Sequence, residues 1–314
     1  MGDSPIGTVG VIGAGTMGAG IAQVCSQIGW EVRLHDALPG GVEAGILRIE
    51  EFWSKGVQKG KTDPKMVDKW RMNIIPSTLE QAVSGSDLII EAVPERMDLK
   101  SDIFKSLDRL ADGNAILATN TSSLSVEEIS RSTQKPERVV GMHFFNPVPL
   151  MPLVEIIRHE ETSDRTVDIA KYAADKMGKT SIVVKDVPGF ATSRLGVVLG
   201  NEAIRMLAEG VASASDIDTA MKLGYRHPMG PLELSDLVGL DVRRDILNGL
   251  AESFENDSYL PHPLLDRLVN AGDLGRKTGR GIYEWNAGEK KRKCGAGIVN
   301  SHMGVIKTIM KNKI

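Results

Sequence analysis

The chain has 314 residues, of which 25% are charged, and its formal net charge at pH 7 is -3. This slightly acidic balance argues against a nucleic-acid-binding protein, which carries a basic surplus, and the sequence has no run of about 18 apolar residues that would cross a bilayer. The length predicts two domains, each large enough to bury its own core.

Cysteine usage predicts a reducing compartment. The two cysteines are Cys25, on the packed face of a predicted helix, and Cys294, near the end of the sequence. Such a pair does not form the disulfide framework of a small secreted domain. Because an apolar strand is predicted within the first ten residues, we expect no signal peptide. We therefore predict a cytoplasmic protein.

The first predicted elements are a strand, a tight turn and a helix. Residues 8–12 are followed by Gly13, Gly15 and Gly18, in the G-x-G-x-x-G spacing of a dinucleotide site. One glycine permits the turn, one lets the backbone approach a pyrophosphate, and one permits close packing of helix on strand. The helix then presents the N–H groups of its first residues, Thr16 and Met17, to the phosphate. Glycine-rich turns also occur for packing alone, so the motif needs support from the next strand.

The second predicted strand supplies that support. Residues 31–35 end in Asp36, about 20 positions after the glycines, where an acidic residue accepts a hydrogen bond from a ribose hydroxyl of NAD. An arginine that would bind the 2′-phosphate of NADP does not follow Asp36. We therefore predict NAD as the cofactor; the alternative is that Asp36 is a polar strand end without a ligand.

A charged segment over residues 38–70 has helical patterning and predicts a helical hairpin inserted into the nucleotide fold. Its lysines have two explanations. The ordinary one is a solvated helix face. The other is a cationic binding site for an anionic substrate, and our candidates for that role are Lys55 and Lys59.

The sequence then alternates between strands and helices. Short aliphatic runs predict strands at residues 87–91, 115–118, 139–142, 154–157 and 181–184, and helices are predicted at 126–132 and 164–177. This alternation predicts an α/β fold, a Rossmann-like, doubly wound and mostly parallel sheet over residues 1–187. Ligands of such sheets bind outside the carboxyl ends of the strands. Polar residues collect at these ends: Asp36, Glu95, Asn120, Thr121, Ser122, Ser123 and His143.

Helices dominate after a proline-glycine boundary at Pro188 and Gly189. Residues 188–286 are predicted to form an all-α domain that binds substrate and makes a homodimer, because it carries more apolar helical surface than one small domain buries. One predicted stripe on its first helix is Leu195, Val198, Leu199, Ala203, Met206 and Leu207. The basic tail at 287–314 lacks periodicity, and we expect it to be disordered.

His143 and Glu155 are the candidate catalytic pair. None of the six histidines has the spacing of a metal site, so we predict no metal. His143 lies where an apolar strand reaches the ligand edge, and Glu155 interrupts the next aliphatic strand, where a carboxylate is costly to bury unless paired. Such a pair would fix the imidazole tautomer and raise its basicity, as a general base acting on an alcohol requires. A lone strand histidine is otherwise more often structural.

Several further motifs stand in register with these residues. They are Asn120-Thr121-Ser122-Ser123, His143-Phe144-Phe145-Asn146-Pro147, Pro188-Gly189-Phe190, His227-Pro228-Met229-Gly230-Pro231 and Gly275-Arg276-Lys277-Thr278-Gly279-Arg280-Gly281. With the glycine motif and Glu155, they make residues 6–286 resemble the L-3-hydroxyacyl-CoA dehydrogenase family in its short, single-function form.

The resemblance implies NAD-dependent oxidation of a short-chain L-3-hydroxyacyl-CoA, such as 3-hydroxybutyryl-CoA, and the reverse reduction of acetoacetyl-CoA, in fatty-acid or butanoate metabolism. It implies that His143 takes the hydroxyl proton and that Glu155 orients the histidine ring. Ser122 matches a serine that hydrogen-bonds the reacting oxygen. Asn146 and Asn120 match positions near nicotinamide and substrate.

Three other positions are assigned by the resemblance. Glu95 and Lys100 match the cofactor edge, although Lys100 is equally well explained as a solvated helix charge. Ser193 stands where many members carry an active-site asparagine. Serine still hydrogen-bonds but is shorter, so substrate position is affected rather than reaction type.

Two other functions remain open. One is that of the lambda-crystallin-like L-gulonate 3-dehydrogenases, which share the fold and act on a free hydroxy acid. The other is a non-catalytic dinucleotide-binding or lens-type structural protein. Intact His143, Glu155 and Ser122 argue against the second.

Overall fold

The computed structural model describes residues 5–286 and 289–294. The chain forms two compact units, of which the first extends to Phe190 and the second begins at Ala191. Each unit has a hydrophobic core of its own. Among the described residues, none of the helices is long and apolar enough to cross a membrane.

An eight-stranded sheet in the order β3-β2-β1-β4-β5-β6-β7-β8 forms the centre of the first unit. All neighbours are parallel except β6 and β7, which are antiparallel. The strands are β1 (Thr8–Ile12), β2 (Glu31–His35), β3 (Ile74–Pro76), β4 (Leu88–Glu91), β5 (Ile116–Thr119), β6 (Val139–Phe144), β7 (Leu153–Arg158) and β8 (Thr180–Lys185). The predicted doubly wound, mostly parallel sheet followed by a helical domain is confirmed.

Seven helices of the first unit flank this sheet in the described part of the chain. They are α1 (Thr16–Gln27), α2 (Gly41–Gln58), α3 (Pro64–Met72), α4 (Leu79–Val83), α5 (Met97–Leu110), α6 (Val126–Ser130) and α7 (Asp164–Lys176). Helices α2 and α3 lie in the segment 38–70, over which we predicted a helical hairpin. β4 and β5 are buried at every residue, as expected of strands covered on both faces.

The sequence did not predict β3. This strand has three residues, ends in Pro76 and lies at the edge of the sheet, where it pairs only with β2. Proline is tolerated there because an edge strand need not donate a hydrogen bond from every residue. A three-residue run is too short for an alternating pattern to show.

The second unit is mainly helical. Its helices are α8 (Thr192–Ala208), α9 (Ala214–Gly224), α10 (Pro231–Val238), α11 (Leu240–Ser253) and α12 (Pro263–Asn270). Pro231 is the first residue of α10, and the Ser213 hydroxyl accepts a hydrogen bond from the backbone N–H of Asp216 at the start of α9.

The end of the described chain differs from the sequence expectation. Residues 289–294, which we expected to be irregular, form β10 (Glu289–Cys294) and pair antiparallel with β9 (Tyr283–Asn286). Backbone pairing with β9 stabilises this strand, and a composition rich in lysine does not indicate such pairing. The remainder of the predicted disordered tail lies outside the described residues.

The apolar stripe predicted on α8 is partly wrong. Ala203 and Leu207 are buried, but so are Val197 and Ile204, whereas Leu195 is 72% exposed and Val198 is 41% exposed. Helix α8 therefore has an inward apolar face and a second apolar face at the surface. Periodicity alone does not distinguish the two.

The side chain of Asp236 holds the end of the second unit against α10. Its buried carboxylate accepts hydrogen bonds from the backbone N–H groups of Ile282 (2.9 Å) and Tyr283 (2.8 Å) and from Nε1 of Trp285 (2.9 Å). Burial raises the pKa of Asp236 above its usual range, and these three donors partly offset that effect. These hydrogen bonds join residues that are more than 40 positions apart, so no local sequence pattern indicates them.

We expect Asp236→Ala to destabilise the protein by about 3 kcal/mol or more, because three buried donors lose their acceptor and each unsatisfied donor costs about 1–3 kcal/mol. Chemical denaturation followed by circular dichroism measures this change. Asp245→Ala is the matched control, since its side chain is 71% exposed on the neighbouring helix, and we expect a change below about 1 kcal/mol. Equal destabilisation by the two substitutions would contradict the stabilising role of the Asp236 carboxylate.

Candidate active site

The parallel strands end at one edge of the sheet, and most predicted site residues of the first unit lie there. Asp36 follows β2, Asn120 follows β5, and His143 is the penultimate residue of β6. Because β7 runs antiparallel to β6, its first residues return to the same edge. Side chains at or after the ends of these strands therefore lie along the edge where ligands bind in folds of this type.

His143 and Glu155 form a buried pair. They are directly opposite each other in the register of β6 and β7, so both side chains are on the same face of the sheet. His143 Nδ1 lies 2.7 Å from Glu155 Oε2, and the glutamate side chain is fully buried. An Nδ1–H that donates to the carboxylate leaves Nε2 with a free lone pair in the neutral ring; the tautomer is inferred from this partner.

The surroundings of His143 are apolar. Its ring centroid lies 4.5 Å from that of Phe145 and 5.9 Å from that of Phe190, and 9% of its side chain is exposed. In such surroundings the Glu155 carboxylate offsets the cost of a positive charge on the imidazole. The pair can therefore hold a proton at Nε2 and release it again.

Asn120 links the ends of β5 and β6. Its Oδ1 accepts a hydrogen bond of 2.9 Å from the backbone N–H of Phe144, the residue after His143. This contact positions the histidine and gives Asn120 a structural role in addition to any contact with a ligand. Asn146 follows two residues beyond the end of β6, in the loop that leads to β7.

Glu95 accepts several hydrogen bonds from the loop that follows β5. Its Oε1 accepts hydrogen bonds from the hydroxyl of Thr121 (2.7 Å) and from the backbone N–H groups of Ser122 (2.8 Å) and Ser123 (2.9 Å). The Ser122 hydroxyl lies 3.2 Å from the same oxygen. Ser122 and Glu95 are thus brought together, and the Ser122 hydroxyl must turn away from Glu95 to reach a ligand.

The pKa of Glu95 reflects this environment. Burial raises it, but the hydrogen bond from Thr121, the charge of Lys100 and the backbone donors of the serine loop lower it, and the lowering effects dominate. The carboxylate is therefore held in its ionised form and presents a negative charge at the ligand edge.

Lys100 is fully buried, so it is not a solvated helix charge. Its Nζ lies 2.7 Å from Glu91 Oε1 and 3.5 Å from Glu95 Oε2. The second carboxylate oxygen of Glu91 accepts a hydrogen bond of 2.7 Å from the Thr119 hydroxyl. Glu91 is a site residue that the sequence motifs did not indicate. The available signal was a glutamate at the end of an aliphatic strand, as for Glu155.

The first turn fits a dinucleotide. Gly13 has a φ of +100°, and a Cβ built on Gly18 would lie 1.7 Å from the Gly13 carbonyl oxygen, so these two glycines serve the turn and the packing of α1. A Cβ built on Gly15 would meet no atom within 4 Å. The space above Gly15 is open to a pyrophosphate, and none of the described side chains caps the amino terminus of α1 at Thr16 and Met17.

Asp36 is bound to this turn. Its Oδ2 accepts a hydrogen bond of 2.7 Å from the Ala14 N–H, and its Oδ1 accepts one of 2.9 Å from the Leu38 N–H. An ionised carboxylate has about four acceptor positions. Asp36 therefore retains the capacity to bind a ribose hydroxyl while it fixes the turn.

Three predicted substrate residues lie away from this edge or in the other unit. Lys55 and Lys59 are exposed in the last turn of α2 and directly after it, and the nearest carboxylate to Lys55 is Glu51, at 3.9 Å. Ser193 is the second residue of α8, in the second unit. The roles of these three residues stay predictions.

Comparisons with known proteins agree on one family. Residues 8–187 match the model described as 3-hydroxyacyl-CoA dehydrogenase, NAD binding domain, and residues 189–285 match its C-terminal domain. A probable 3-hydroxybutyryl-CoA dehydrogenase of Bacillus subtilis is 45% identical over 276 residues, which cover 88% of this chain and 96% of that protein. A 3-hydroxybutyryl-CoA dehydrogenase of Clostridioides difficile is 44% identical, with 88% and 98% covered.

Solved structures agree. The (S)-3-hydroxybutyryl-CoA dehydrogenase PaaH1 from Ralstonia eutropha is 41% identical, with a TM-score of 0.86 over 90% of this chain and 99% of that chain. FadB2 of M. tuberculosis is likewise 41% identical, with a TM-score of 0.84 and the same coverage.

The lowered pKa of Glu95 predicts an acid-dependent loss of stability. Its carboxylate stabilises the fold fully above the ordinary value of 4.5, and this contribution is lost as the pH falls through the lowered pKa. We expect Glu95→Gln to lower the midpoint of thermal unfolding at neutral pH, and we expect its difference from the parent to shrink between roughly pH 5 and pH 3. The exposed Glu160 supplies the control variant Glu160→Gln. A difference that stays constant with pH would show that the Glu95 charge is unimportant.

Proposed function

Because the chain belongs to the 3-hydroxyacyl-CoA dehydrogenase family, we propose that it interconverts short-chain L-3-hydroxyacyl-CoA and 3-oxoacyl-CoA with NAD, 3-hydroxybutyryl-CoA and acetoacetyl-CoA being the substrates. Its first domain is an NAD-binding domain of an oxidoreductase. The observation that carries the proposal is the buried His143–Glu155 pair at the ligand edge of the sheet.

In the oxidation direction, Nε2 of His143 accepts the proton of the substrate's 3-hydroxyl. NAD, when bound, supplies the acceptor for the hydride that leaves C3. Glu155 holds the Nδ1–H, which fixes the ring orientation and stabilises the imidazolium that forms. In the reduction direction, His143 returns the proton to the oxygen. Neither direction requires a change in the protonation of Glu155.

Ser122 and Asn146 bind the reacting end of the substrate in this proposal. The Ser122 hydroxyl turns from Glu95 toward the reacting oxygen and donates to it. Asn146 lies on the loop after His143 and orients the nicotinamide and the thioester. Asn120 acts beside them by holding the backbone of Phe144.

The cofactor contacts divide into two groups. Gly13, Gly15, Thr16, Met17 and Gly18 hold the pyrophosphate, through backbone N–H groups and open space rather than side chains. Asp36 accepts from the adenosine ribose, and Glu95 lies at the nicotinamide end. Lys100 is fully buried, so we assign it an indirect role in which it neutralises Glu91 and orients Glu95.

The remaining substrate contacts are assigned from charge and from position in the sequence. Lys55 and Lys59 are exposed cations without a carboxylate closer than 3.9 Å in the described chain, and we assign them to the phosphates of CoA. Ser193 is assigned to the acyl end of the substrate.

Substitution of the pair tests the reaction. We expect His143→Gln and Glu155→Gln to lower kcat for acetoacetyl-CoA reduction by about 10²- to 10⁴-fold, because general acid–base catalysis contributes about that much. The rate is measured from NADH consumption with acetoacetyl-CoA and, in parallel, with dehydrogulonate. His227→Gln, in the second unit, is the matched histidine control.

Each alternative has its own result in this assay. Turnover of dehydrogulonate but not of the thioester would replace the proposal by the gulonate activity, and binding of NADH without any turnover would favour a non-catalytic protein. Equal rates in the parent and in a folded His143→Gln variant would remove His143 from the mechanism.

We also propose a homodimer that forms through the second unit. Helix α8 packs against α10 and α11, and all three helices carry exposed apolar side chains. These are Leu195, Val198, Leu234, Leu237, Val238 and Val242, which are between 36% and 72% exposed. An apolar surface of this kind is typical of a subunit interface.

A charge in this apolar surface tests the dimer. We expect Leu237→Glu to shift the protein from dimer to monomer in sedimentation velocity experiments, because a carboxylate buried against apolar side chains is costly. Val211→Glu, which is 60% exposed between α8 and α9, is expected to leave the dimer intact. A parent protein that sediments as a monomer would refute the proposal.

The reducing compartment predicted from the sequence, the cytoplasm, also stays a proposal. Cys25 is a free, fully buried thiol, and burial raises its pKa to about 12. Such a thiol is unreactive and behaves as a core residue. Cell fractionation tests the location.

A further inference from the structure

Phe190 is a buried aromatic residue to which the reaction described above assigns no role. It ends the motif Pro188-Gly189-Phe190 and is the last residue of the first unit. Only 4% of the residue is exposed, and its ring centroid lies 5.9 Å from that of His143, with 57° between the ring planes. Aromatic rings interact at centroid distances of about 4.5–7 Å. Phe190 therefore packs on the imidazole that transfers the proton.

The backbone of Phe190 is in the left-handed region. Its φ is +46°, and the φ of the preceding Gly189 is +76°. Glycine adopts such angles freely, whereas a bulky side chain rarely does. Residues held in strained conformations of this kind cluster at functional sites, where the surrounding structure enforces them. Glycine at position 190 would suit the backbone better, so the phenyl ring itself is the feature that requires an explanation.

The short segment that carries Phe190 is anchored at both ends. At its start, Asp186 Oδ2 accepts hydrogen bonds from the Ser125 hydroxyl (2.9 Å) and from the backbone N–H of Glu127 (2.7 Å). At its end, the Phe190 N–H donates to the carbonyl oxygen of Val187 at 3.0 Å. The phenyl ring is therefore carried by a turn that other parts of the first unit hold in place.

Phe190 lies on the face of the sheet to which His143 points. Successive residues of a strand point to opposite faces, so Gly141 and His143 of β6 share one face. A Cβ built on Gly141 would lie 3.0 Å from Cγ2 of Val126, and Val126 and Phe190 belong to one hydrophobic cluster. Met142, between the two, belongs to the cluster on the other face. Phe190 therefore extends the apolar layer of this face as far as the imidazole.

The hydrogen bond to Glu155 does not by itself fix the plane of the imidazole. The second side-chain torsion of histidine has broad minima, and a hydrogen bond tolerates about 30° of misalignment. The ring can therefore tilt while Nδ1 stays bonded to the carboxylate, and the tilt moves Nε2 away from the reacting oxygen. A general base must be within hydrogen-bond reach of the proton that it accepts, so a second contact has to limit the tilt.

We propose, on the basis of the function assigned above, that Phe190 is a positioning residue of the reaction. Its ring limits the tilt of the His143 imidazole and keeps Nε2 directed at the reacting oxygen. Phe190 acts through His143, and this role requires no contact with the substrate or with NAD. The left-handed conformation of residue 190 is maintained because it brings the ring to the histidine. Glu155 thus fixes the tautomer and stabilises the imidazolium, while Phe190 fixes the ring plane.

A double-mutant cycle tests whether Phe190 acts through His143. We expect Phe190→Leu to lower kcat for acetoacetyl-CoA reduction by about ten- to hundredfold, because a misplacement of about 1 Å at a catalytic group costs up to about that much. The KM values for acetoacetyl-CoA and NADH are expected to change by less than about twofold. In a His143→Gln background, the same substitution is expected to lower kcat by less than about twofold, since no base remains to be positioned.

Each rate is divided by the concentration of NADH-binding sites, measured by fluorescence titration, so that unfolded protein does not contribute. Phe104→Leu is the matched control, because Phe104 is fully buried in the same hydrophobic cluster, and its kcat per binding site is expected to stay within about twofold of the parent. Phe190→Gly relieves the positive φ and replaces Phe190→Leu if that variant does not fold, with the same expected loss.

Three results would overturn the positioning role while the parent remains a dehydrogenase. They are an unchanged kcat in Phe190→Leu, a loss confined to the number of NADH-binding sites, and a loss of equal size with and without His143. A parent protein that does not reduce acetoacetyl-CoA would instead refute the proposed function.

Discussion

The burial of one carboxylate governs the candidate site. Glu155 has no solvent exposure, and a charged carboxylate is stable in such a place only with a partner, which His143 provides at 2.7 Å. The pair exists because β7 runs antiparallel to β6 in an otherwise parallel sheet. A loop of residues 145–152 suffices for an antiparallel return, whereas a parallel one needs a crossover of a dozen or more residues. One reversal of strand direction thus brings base and carboxylate together.

A second buried charge cluster supports the neighbouring loop. Glu91 and Glu95 share the ammonium group of Lys100, which leaves one net negative charge distributed over β4, α5 and the loop after β5. Removal of one partner from such a cluster leaves an uncompensated charge, which is more harmful than replacement of the whole cluster by apolar groups. The serine loop therefore depends on Glu91, a residue that contacts neither Ser122 nor Ser123 in any described hydrogen bond.

The sequence was sufficient for features that depend on local spacing. The glycine turn and the partnership of His143 with Glu155 follow from short patterns and from the cost of a carboxylate in an aliphatic strand. Features that depend on distant contacts were missed. Asp236 binds residues more than 40 positions away, and the outward direction of Leu195 depends on which face of α8 its neighbours cover. Contacts of Lys55, Lys59 and Ser193 with a ligand stay predictions.

The order of the strands leaves the sheet with two open ends, β3 and β8. Exposed strand edges invite pairing with another chain, and proteins oppose this with short edges, proline and charged side chains. β3 has only three residues and ends in Pro76. β8 is longer and exposes Val183, but Lys185 is also exposed at its end. Both borders therefore carry features that oppose polymerisation of the sheet by edge-to-edge pairing.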